Sequence, residues 1–216
     1  FFEYVEGSAV YGKRVPKVRT LASCNGGFQT DARRFLKGDE GTIGSFRNIL
    51  VRNDGSVGCV NYIANVNGFT LADLVSYNEK HNDANGENNY DGSSENFSWN
   101  CGVEGETKKK NIINLRKKQI RNALSYVFLA QGIPLLYAGD ELGNSQGGNN
   151  NAYASDDPTG WVNWSGLRRN RDLRAFVMDL IRFRKTHPIL RNRFPYRGTD
   201  YRNTGCPDIS FHDTRA

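Results

Sequence analysis

Residues 60–71, VNYIANVNGFTL, decide the fold of this chain of 216 residues. Around their start, residues 57–64 are apolar at nearly every position except Gly58 and Asn61, as in a parallel strand that is covered on both faces. A loop rich in asparagine and glycine then runs from residue 65 to about residue 106. Connections between strands and helices usually take about 2–6 residues, and longer ordered ones usually carry function. The stretch therefore predicts a buried strand that leads into a functional loop.

A second strand is predicted at residues 133–138, IPLLYA, where Pro134 is tolerable because it stands at the start of the strand. A Gly-Asp-Glu sequence at residues 139–141 ends it. The helix before this strand is predicted at residues 109–131 and is closed by Gly132. The apolar stripe of that helix consists of Ile113, Ile120, Leu124, Val127 and Phe128.

Two further helices flank these strands in the sequence. One is predicted at residues 31–37, before Gly38, and the other at residues 172–186, before His187. Pro188 ends the second helix, because the residue before a proline disfavours the helical region. The alternation of strands and helices indicates an α/β protein with a parallel sheet.

Residues 61–105, from NYIANVNGFTLADL to NCGVEG, resemble the α-amylase superfamily in its isoamylase or glycogen-debranching branch. Residues 25–41 and the GNNNAY sequence of residues 148–153 extend the resemblance. It implies that residues 1–190 contain the seventh and eighth strand-helix units of a partial (β/α)8 TIM barrel. Residues 191–216 would then begin a C-terminal β-domain, with a strand at residues 209–211. A complete barrel takes about 250 residues, so we expect a fragment or a truncated relative.

The resemblance also implies a catalytic apparatus that this chain holds only in part. Retaining glycosidases use two carboxyl groups about 5–5.5 Å apart. The nucleophile would lie upstream of Phe1, and Glu3 is the candidate acid/base, with a surface carboxylate as the alternative. A histidine and a third carboxylate would follow the seventh strand, where this chain has Val66 and Asn67. An amide can bond a sugar hydroxyl but cannot attract a developing positive charge, so we expect no hydrolysis by this chain itself.

Several loop residues are candidates for contacts with a sugar. Exposed aromatic rings stack on pyranose rings and amides bond hydroxyls, although tryptophan is more often a core residue. Consecutive asparagines also suit tight turns, and the Val66-Asn67 pair also suits an ordinary strand-to-loop turn. The candidates are Val66, Asn67, Phe69, Trp99, Asn100, Asn149, Asn150, Asn151 and Tyr153, with Trp161 and Trp164 as further aromatic faces.

The composition argues against several other classes of protein. The net charge is +6, but the basic clusters border predicted helices and no nucleic-acid-binding motif accompanies them. No run approaches the roughly 18 apolar residues of a membrane span. The three histidines lack ligand spacing and no calcium-loop pattern occurs, so we expect neither a metal nor a cofactor. Four scattered cysteines without a C-x-x-C pair favour a reduced compartment, the cytoplasm.

The resemblance implies carbohydrate metabolism, with glycogen or another branched α-glucan as the partner. The family reaction would be retaining hydrolysis of α-1,6 branch linkages. The alternative is a non-catalytic glucan-binding or regulatory relative that keeps the loop aromatics and amides. The oligomeric state is left open.

Overall fold

The computed structural model describes residues 22–53 and 58–212. Three strands form one parallel sheet in the order β1 (Ala22–Cys24), β2 (Gly58–Asn61) and β3 (Ile133–Pro134). The register pairs Cys24 with Val60, and Val60 with Ile133. The predicted α/β arrangement with parallel strands is therefore confirmed, and the loops after β2 and β3 leave the same edge of the sheet.

Both predicted strands are shorter in the structure than in the sequence analysis. Residues 62–64 are buried but lie outside the ladder, and residues 135–138 also follow the last paired residue. The neighbours of β2 diverge beyond Asn61, since α1 begins at Gly26 and β3 ends at Pro134. No described strand continues the ladder on either side, so burial alone does not extend β2.

The helices in chain order are α1 (Gly26–Lys37), α2 (Ile43–Val51), α3 (Leu71–Leu74), α4 (Lys110–Leu129), α5 (Gly166–Arg169) and α6 (Arg171–Thr186). Short 3-10 turns occur at Asp83–Asn85, Asp140–Leu142, Ala152–Ala154 and Pro188–Arg191. The predicted bounds of α4 and α6 agree with the structure to within two residues. Helix α1, by contrast, starts earlier than predicted. The Asn25 side chain caps α1 by accepting a hydrogen bond from the Phe28 N–H at 3.1 Å.

The hydrophobic core lies between the sheet, α1, α4 and α6. Phe28, Ala123 and Leu124 are buried at its centre, and Val177 joins it from α6. Burying a side chain of the size of leucine stabilises a protein by about 1.5–3 kcal/mol. A stacked pair of rings, Phe35 and Phe46 at 3.8 Å between centroids, joins α1 to α2.

Residues 192–212 contain no helix or strand. The strand predicted at residues 209–211 is therefore not formed, and this stretch offers it no partner strand. Asp208 instead accepts hydrogen bonds from the N–H groups of Arg197 and Gly198 at 2.8 and 2.7 Å. The assignment of residues 191–216 to a C-terminal β-domain stays a prediction.

All four cysteines lie within the described ranges, and no disulfide joins them there. None of the helices in those ranges has the length and hydropathy that a membrane span requires. The same part of the chain holds no group of three or more His, Cys, Asp and Glu side chains placed to bind a metal ion.

Candidate functional site

The Val66-Asn67 pair forms a small exposed turn between two buried segments. Residues 60–65 are buried, Val66 is 49% exposed and Asn67 is exposed, and residues 68–71 are buried again. The Asn67 N–H donates to the Asn65 Oδ1 at 3.1 Å, which fixes the turn locally. The pair therefore lies at the C-terminal end of β2, the edge at which active sites of parallel α/β proteins are found.

The turn is fixed on its C-terminal side by the start of α3. Thr70 accepts a hydrogen bond from the Asp73 N–H at 3.1 Å, as an N-terminal cap does. Phe69 has no exposed surface and packs near Tyr77, with 6.4 Å between ring centroids. Phe69 supports the turn from beneath in this structure, and its contact with a sugar stays a prediction.

A buried arginine from α1 lies under the same turn. Arg33 donates from Nε and Nη2 to the Ile63 carbonyl at 2.8 and 2.6 Å, and from Nη1 to the Asn96 carbonyl at 3.1 Å. Its Nη2 lies 3.7 Å from the point that a Cβ on Gly68 would occupy. Burial lowers the pKa of Arg33 to about 10, so the guanidinium stays charged at neutral pH.

Two buried carboxyl groups join the loop of β2 to the loop of β3. Asp140 accepts a hydrogen bond from the Leu71 N–H at 2.9 Å. Asp73 accepts from the Ser145 hydroxyl at 2.5 Å and from the Gln146 N–H at 2.7 Å. Asp140, in the loop after β3, thus holds the start of α3 in the loop after β2. Asp73, on α3, in turn holds the loop after β3.

Burial raises the pKa of both groups. Desolvation raises the pKa of Asp140 to about 8; Glu141 and Asp73 also raise it, while the Leu71 N–H and Arg33 oppose them. Desolvation likewise raises the pKa of Asp73, against the bonds from Ser145 and Gln146. Perturbed carboxyl groups at a strand edge are a feature of functional sites, and of structural networks as well. The sequence analysis gave neither group a role, although it used residues 139–141 to end the strand.

The asparagines of residues 149–151 bond to the other loop. Asn150 donates to the Asn96 Oδ1 at 2.8 Å and accepts from the Asn82 Nδ2 at 2.9 Å. Asn149 donates to the Asn85 Oδ1 at 2.7 Å. Asn151 donates to an Asp91 carboxylate oxygen at 2.8 Å. These bonds form an amide network that we define as Asn82, Asn85, Asp91, Asn96 and residues 149–151.

The amide network bears on the two roles considered for residues 149–151, which are contact with a sugar and the geometry of a tight turn. The positive backbone φ angles of this loop fall on Gly147 and Gly148, so the asparagines are not needed for left-handed geometry. Asn149 and Asn150 are buried and bonded within the protein, which leaves them no surface for a sugar in this structure. Asn151 is half-buried. Their direct contact with a sugar stays a prediction, and the physical role that the structure shows is to hold the two loops together.

The predicted aromatic contacts divide into two groups. Trp99 is half-buried and packs against the core, and its backbone N–H donates to the Leu74 carbonyl at 3.0 Å. Tyr153, Trp161 and Trp164 are 76%, 54% and 67% exposed, so their rings are open to a ligand. Asn100 donates to a Glu104 carboxylate oxygen at 2.8 Å and is half-buried.

The structure thus leaves Val66, Asn67, Tyr153, Trp161 and Trp164 as the exposed residues among the predicted contacts. Glu3, the candidate acid/base, lies outside the described residues. Arg33, Asp73 and Asp140 are the buried charged residues that sequence reasoning missed. Their sequence signal was weak, because an Arg or Asp next to apolar residues is usually exposed.

The site and fold define a protein of the parallel α/β class with a loop-built site at the C-terminal strand edge. Among solved structures, apo pullulanase from Paenibacillus barengoltzii matches with a TM-score of 0.59 at 21% identity, over 80% of this chain and 25% of that one. A pullulanase from an Anoxybacillus species, complexed with maltotetraose, matches with a TM-score of 0.55 at 25% identity, over 81% and 23%. The fold is therefore shared with part of the pullulanases.

Relatives by sequence are more similar. A glycogen operon protein GlgX homolog of Mycobacterium tuberculosis is 41% identical over 187 residues, 83% of this chain and 26% of the relative. Isoamylase 3, chloroplastic, of Oryza sativa subsp. japonica is 43% identical over 190 residues, 82% of this chain and 24% of the relative. A glycogen debranching enzyme of Pectobacterium carotovorum is 42% identical over 172 residues, 76% of this chain and 26% of the relative. No protein-family model matches the chain.

The chain belongs to the debranching enzymes of the α-amylase family. It spans about a quarter of the length of the curated relatives that it matches.

Proposed function

We propose that this chain is the part of a glycogen-debranching type of protein that holds the seventh and eighth barrel units, and that its own contribution is to bind α-glucan. The observation that carries the proposal is the exposed Val66-Asn67 turn at the C-terminal end of β2, with the loop of β3 locked beside it. The relatives named for glycogen debranching, and the pullulanase complexed with maltotetraose, support a branched α-glucan as the ligand.

The proposed binding surface combines one amide with exposed aromatic rings. Asn67 offers a donor and an acceptor to sugar hydroxyls. Tyr153, Trp161 and Trp164 are exposed on the loop after β3 and offer apolar faces to pyranose rings. A neutral glucan needs hydroxyl bonding and stacking rather than charge, and these residues supply both.

The same geometry supports the proposal that the chain does not cleave glycosidic bonds by itself. Retaining hydrolysis needs two accessible carboxyl groups about 5–5.5 Å apart. Asp73 and Asp140, at this edge of the sheet, are buried and bonded to N–H or hydroxyl groups of the facing loop. Asn67 is exposed at the turn, and its amide carries no charge that could stabilise a developing cation.

Electrophoresis of the 216-residue chain through gels with and without glycogen tests the binding proposal. We expect the glycogen to retard the chain, and Asn67→Ala together with Trp164→Ala to reduce the retardation. Asn114→Ala, which changes an exposed residue on α4, is the matched control. Equal mobility of the unsubstituted chain in both gels would refute glucan binding.

An assay for linear chains released from glycogen tests the second half of the proposal. We expect no release by the 216-residue chain. Measurable debranching by this chain would overturn the claim that it does not cleave bonds.

A second candidate function is a regulatory, non-catalytic glucan-binding relative, which the neutral Val66-Asn67 pair favours. The coding sequence on the N-terminal side of Phe1 distinguishes the two. A strand that ends in Asp, followed by a Glu-x-Trp-Asp strand, would favour the enzyme. A neutral residue at the first position would favour the regulatory protein.

We also propose a cytoplasmic location without nucleic-acid or membrane partners. Four scattered cysteines without a disulfide among the described residues support a reducing compartment. Salt-sensitive binding to DNA would contradict the proposal for nucleic acid, because phosphate contacts weaken as salt rises.

A further inference from the structure

Arg33 connects the Ile63 carbonyl, just before the long β2 loop, to the Asn96 carbonyl in the second half of that loop. Ile63 lies just before the exposed turn, and Asn96 lies 33 positions further along the chain. The guanidinium holds the Ile63 carbonyl with two of its nitrogens and the Asn96 carbonyl with the third. Its planar fork keeps these donors in a fixed geometry that a lysine ammonium cannot reproduce. One side chain therefore joins Ile63 to Asn96 through their carbonyl groups.

The charge of Arg33 has no close counter-ion in the part of the chain that the structure describes. No ion pair involves Arg33 there. A buried charge of this kind is costly unless its hydrogen bonds are satisfied. The chain nevertheless places it directly beneath Gly68, next to the exposed turn. A role in holding the turn accounts for that placement.

Asp140 fixes the other end of the same turn. Its carboxyl group, from the β3 loop, accepts from the Leu71 N–H, where α3 starts. Arg33 thus holds residue 63 and Asp140 holds residue 71, and the exposed Val66-Asn67 pair lies between the two points.

We propose that Arg33 and Asp140 are positioning residues that set the geometry of the Val66-Asn67 turn for its ligand. The proposal rests on the proposed binding of glucan at this turn. Neither residue touches the ligand, since both are buried. Each acts through the backbone that it holds.

Arg184 provides a matched control on the same chain. It is also buried, and it also makes three hydrogen bonds to backbone oxygens, in this case those of Phe128, Ala130 and Gly132. These oxygens precede β3 and therefore lie at the opposite edge of the sheet from the turn. Arg33→Lys and Arg184→Lys make the same chemical change at the two edges.

The test compares hydrogen exchange and glycogen retardation in the two variants at a temperature at which circular dichroism shows both folded. We expect Arg33→Lys to speed exchange at the Asn67 and Leu71 amides by about tenfold and to weaken retardation by about tenfold, as loss of hydrogen bonds to a charged group implies. We expect Arg184→Lys to leave both readouts at the wild-type value. Unchanged exchange in Arg33→Lys, or equal changes in both variants, would overturn the proposal.

Asp140 supplies a second pair of variants if Arg33→Lys does not fold. Asp140→Asn keeps an oxygen that accepts from the Leu71 N–H, whereas Asp140→Ala removes it. We expect the Asn variant to keep wild-type exchange at Leu71 and the Ala variant to lose protection there. Equal exchange in the two variants would overturn the role of Asp140. If the wild-type chain is not retarded by glycogen, the proposed function fails, and the exchange data still decide the positioning role.

Discussion

Asn67 and Arg33 lie at the same turn, and the sequence showed only the first of them. Asn67 stands where the resembling family has a carboxylate, whereas Arg33 lies within residues 25–41, which extend the resemblance, and was given no role. The structure adds that the turn is a neutral exposed surface over a buried charge. The chemistry of the site therefore depends on residues that do not reach its surface.

The pH dependence of stability should reveal Asp140. Its pKa is raised to about 8 by burial, so the folded chain binds this proton more tightly than the unfolded chain does. The stabilisation is fully present below the unfolded pKa of about 4 and is lost as the pH rises through about 8. We expect the melting temperature of the wild type, relative to Asp140→Asn, to fall between pH 5.5 and pH 8.5. The measurement is a series of thermal melts of both proteins.

The comparison with Asp140→Asn removes the contributions of other groups. Hydrogen bonds and charges lower the pKa of Asp172, for example, and its stabilisation is lost only at acid pH, below this window. A constant difference between the two proteins across the window would contradict the assignment.

A second prediction at the scale of single residues concerns Gly92. A Cβ on Gly92 would collide with the Asn150 Oδ1 and lie 2.9 Å from the Asn82 Nδ2, and its φ is +69°. Gly86 has a similar φ of +79°, and a Cβ there would meet nothing within 4 Å. We expect Gly86→Ala to cost about 1–2 kcal/mol through backbone strain, and Gly92→Ala to cost about 1–3 kcal/mol more through overpacking. Equal midpoints in urea for the two variants would contradict this view of the amide network.

At the scale of elements, the helices followed their sequence signals more closely than the strands did. The long α4 and α6 have a clear apolar period and defined ends, so their bounds were predictable. The sequence analysis missed α2, although Phe46, Ile49 and Leu50 have helical spacing within its nine residues. The strands were overestimated, because a ladder requires a partner and an apolar run does not show where the partner ends.

The prediction at the scale of elements concerns the contact between the loop after β2 and the loop after β3. Asn150→Ala removes an amide that accepts from the Asn82 Nδ2 and donates to the Asn96 Oδ1. The Asn82 Nδ2 keeps its bonds to Asp91, but the Asn96 Oδ1 becomes a buried polar group without that hydrogen bond. Such a group costs about 1–3 kcal/mol. We expect a lower melting temperature and faster proteolysis within residues 82–96. Asn114→Ala, on the exposed side of α4, should change neither, and equal proteolysis of the two variants would refute the role of the amide network.

At the scale of the whole molecule, a small parallel sheet carries two long loops that are held together by polar side chains. The described strands contribute few residues, and the amide network with Asp73 and Asp140 provides much of the contact between the loops. The residues at the proposed site are therefore positioned by tertiary hydrogen bonds and by packing beneath the turn.

A test of metal dependence belongs to this scale. The described part of the chain holds no cluster of His, Cys, Asp and Glu side chains that could bind a metal. A ligand that binds the folded state raises its stability in proportion to the logarithm of concentration over Kd. We expect millimolar calcium or EDTA to leave the melting temperature unchanged. A rise with calcium that EDTA reverses would contradict this expectation.

The sequence by itself determined the family, the α/β class, the long helices and the position of the exposed Val66-Asn67 turn. These features depend on local periodicity, on helix end signals and on residue identity, which a linear sequence records directly. Trp99 and Phe69 show what the sequence left open, because the exposure of a ring depends on what packs against it.

Only the tertiary structure decided that residues 149–151 bond to the β2 loop, and that Arg33 and Asp140 hold the two sides of the turn. These contacts join residues that lie 30 to 69 positions apart. A hydrogen bond forms where donor and acceptor meet in space, and no spacing in the sequence records that meeting. The burial that raises the pKa of Asp140 arises in the same way, because desolvation depends on every element packed around the group.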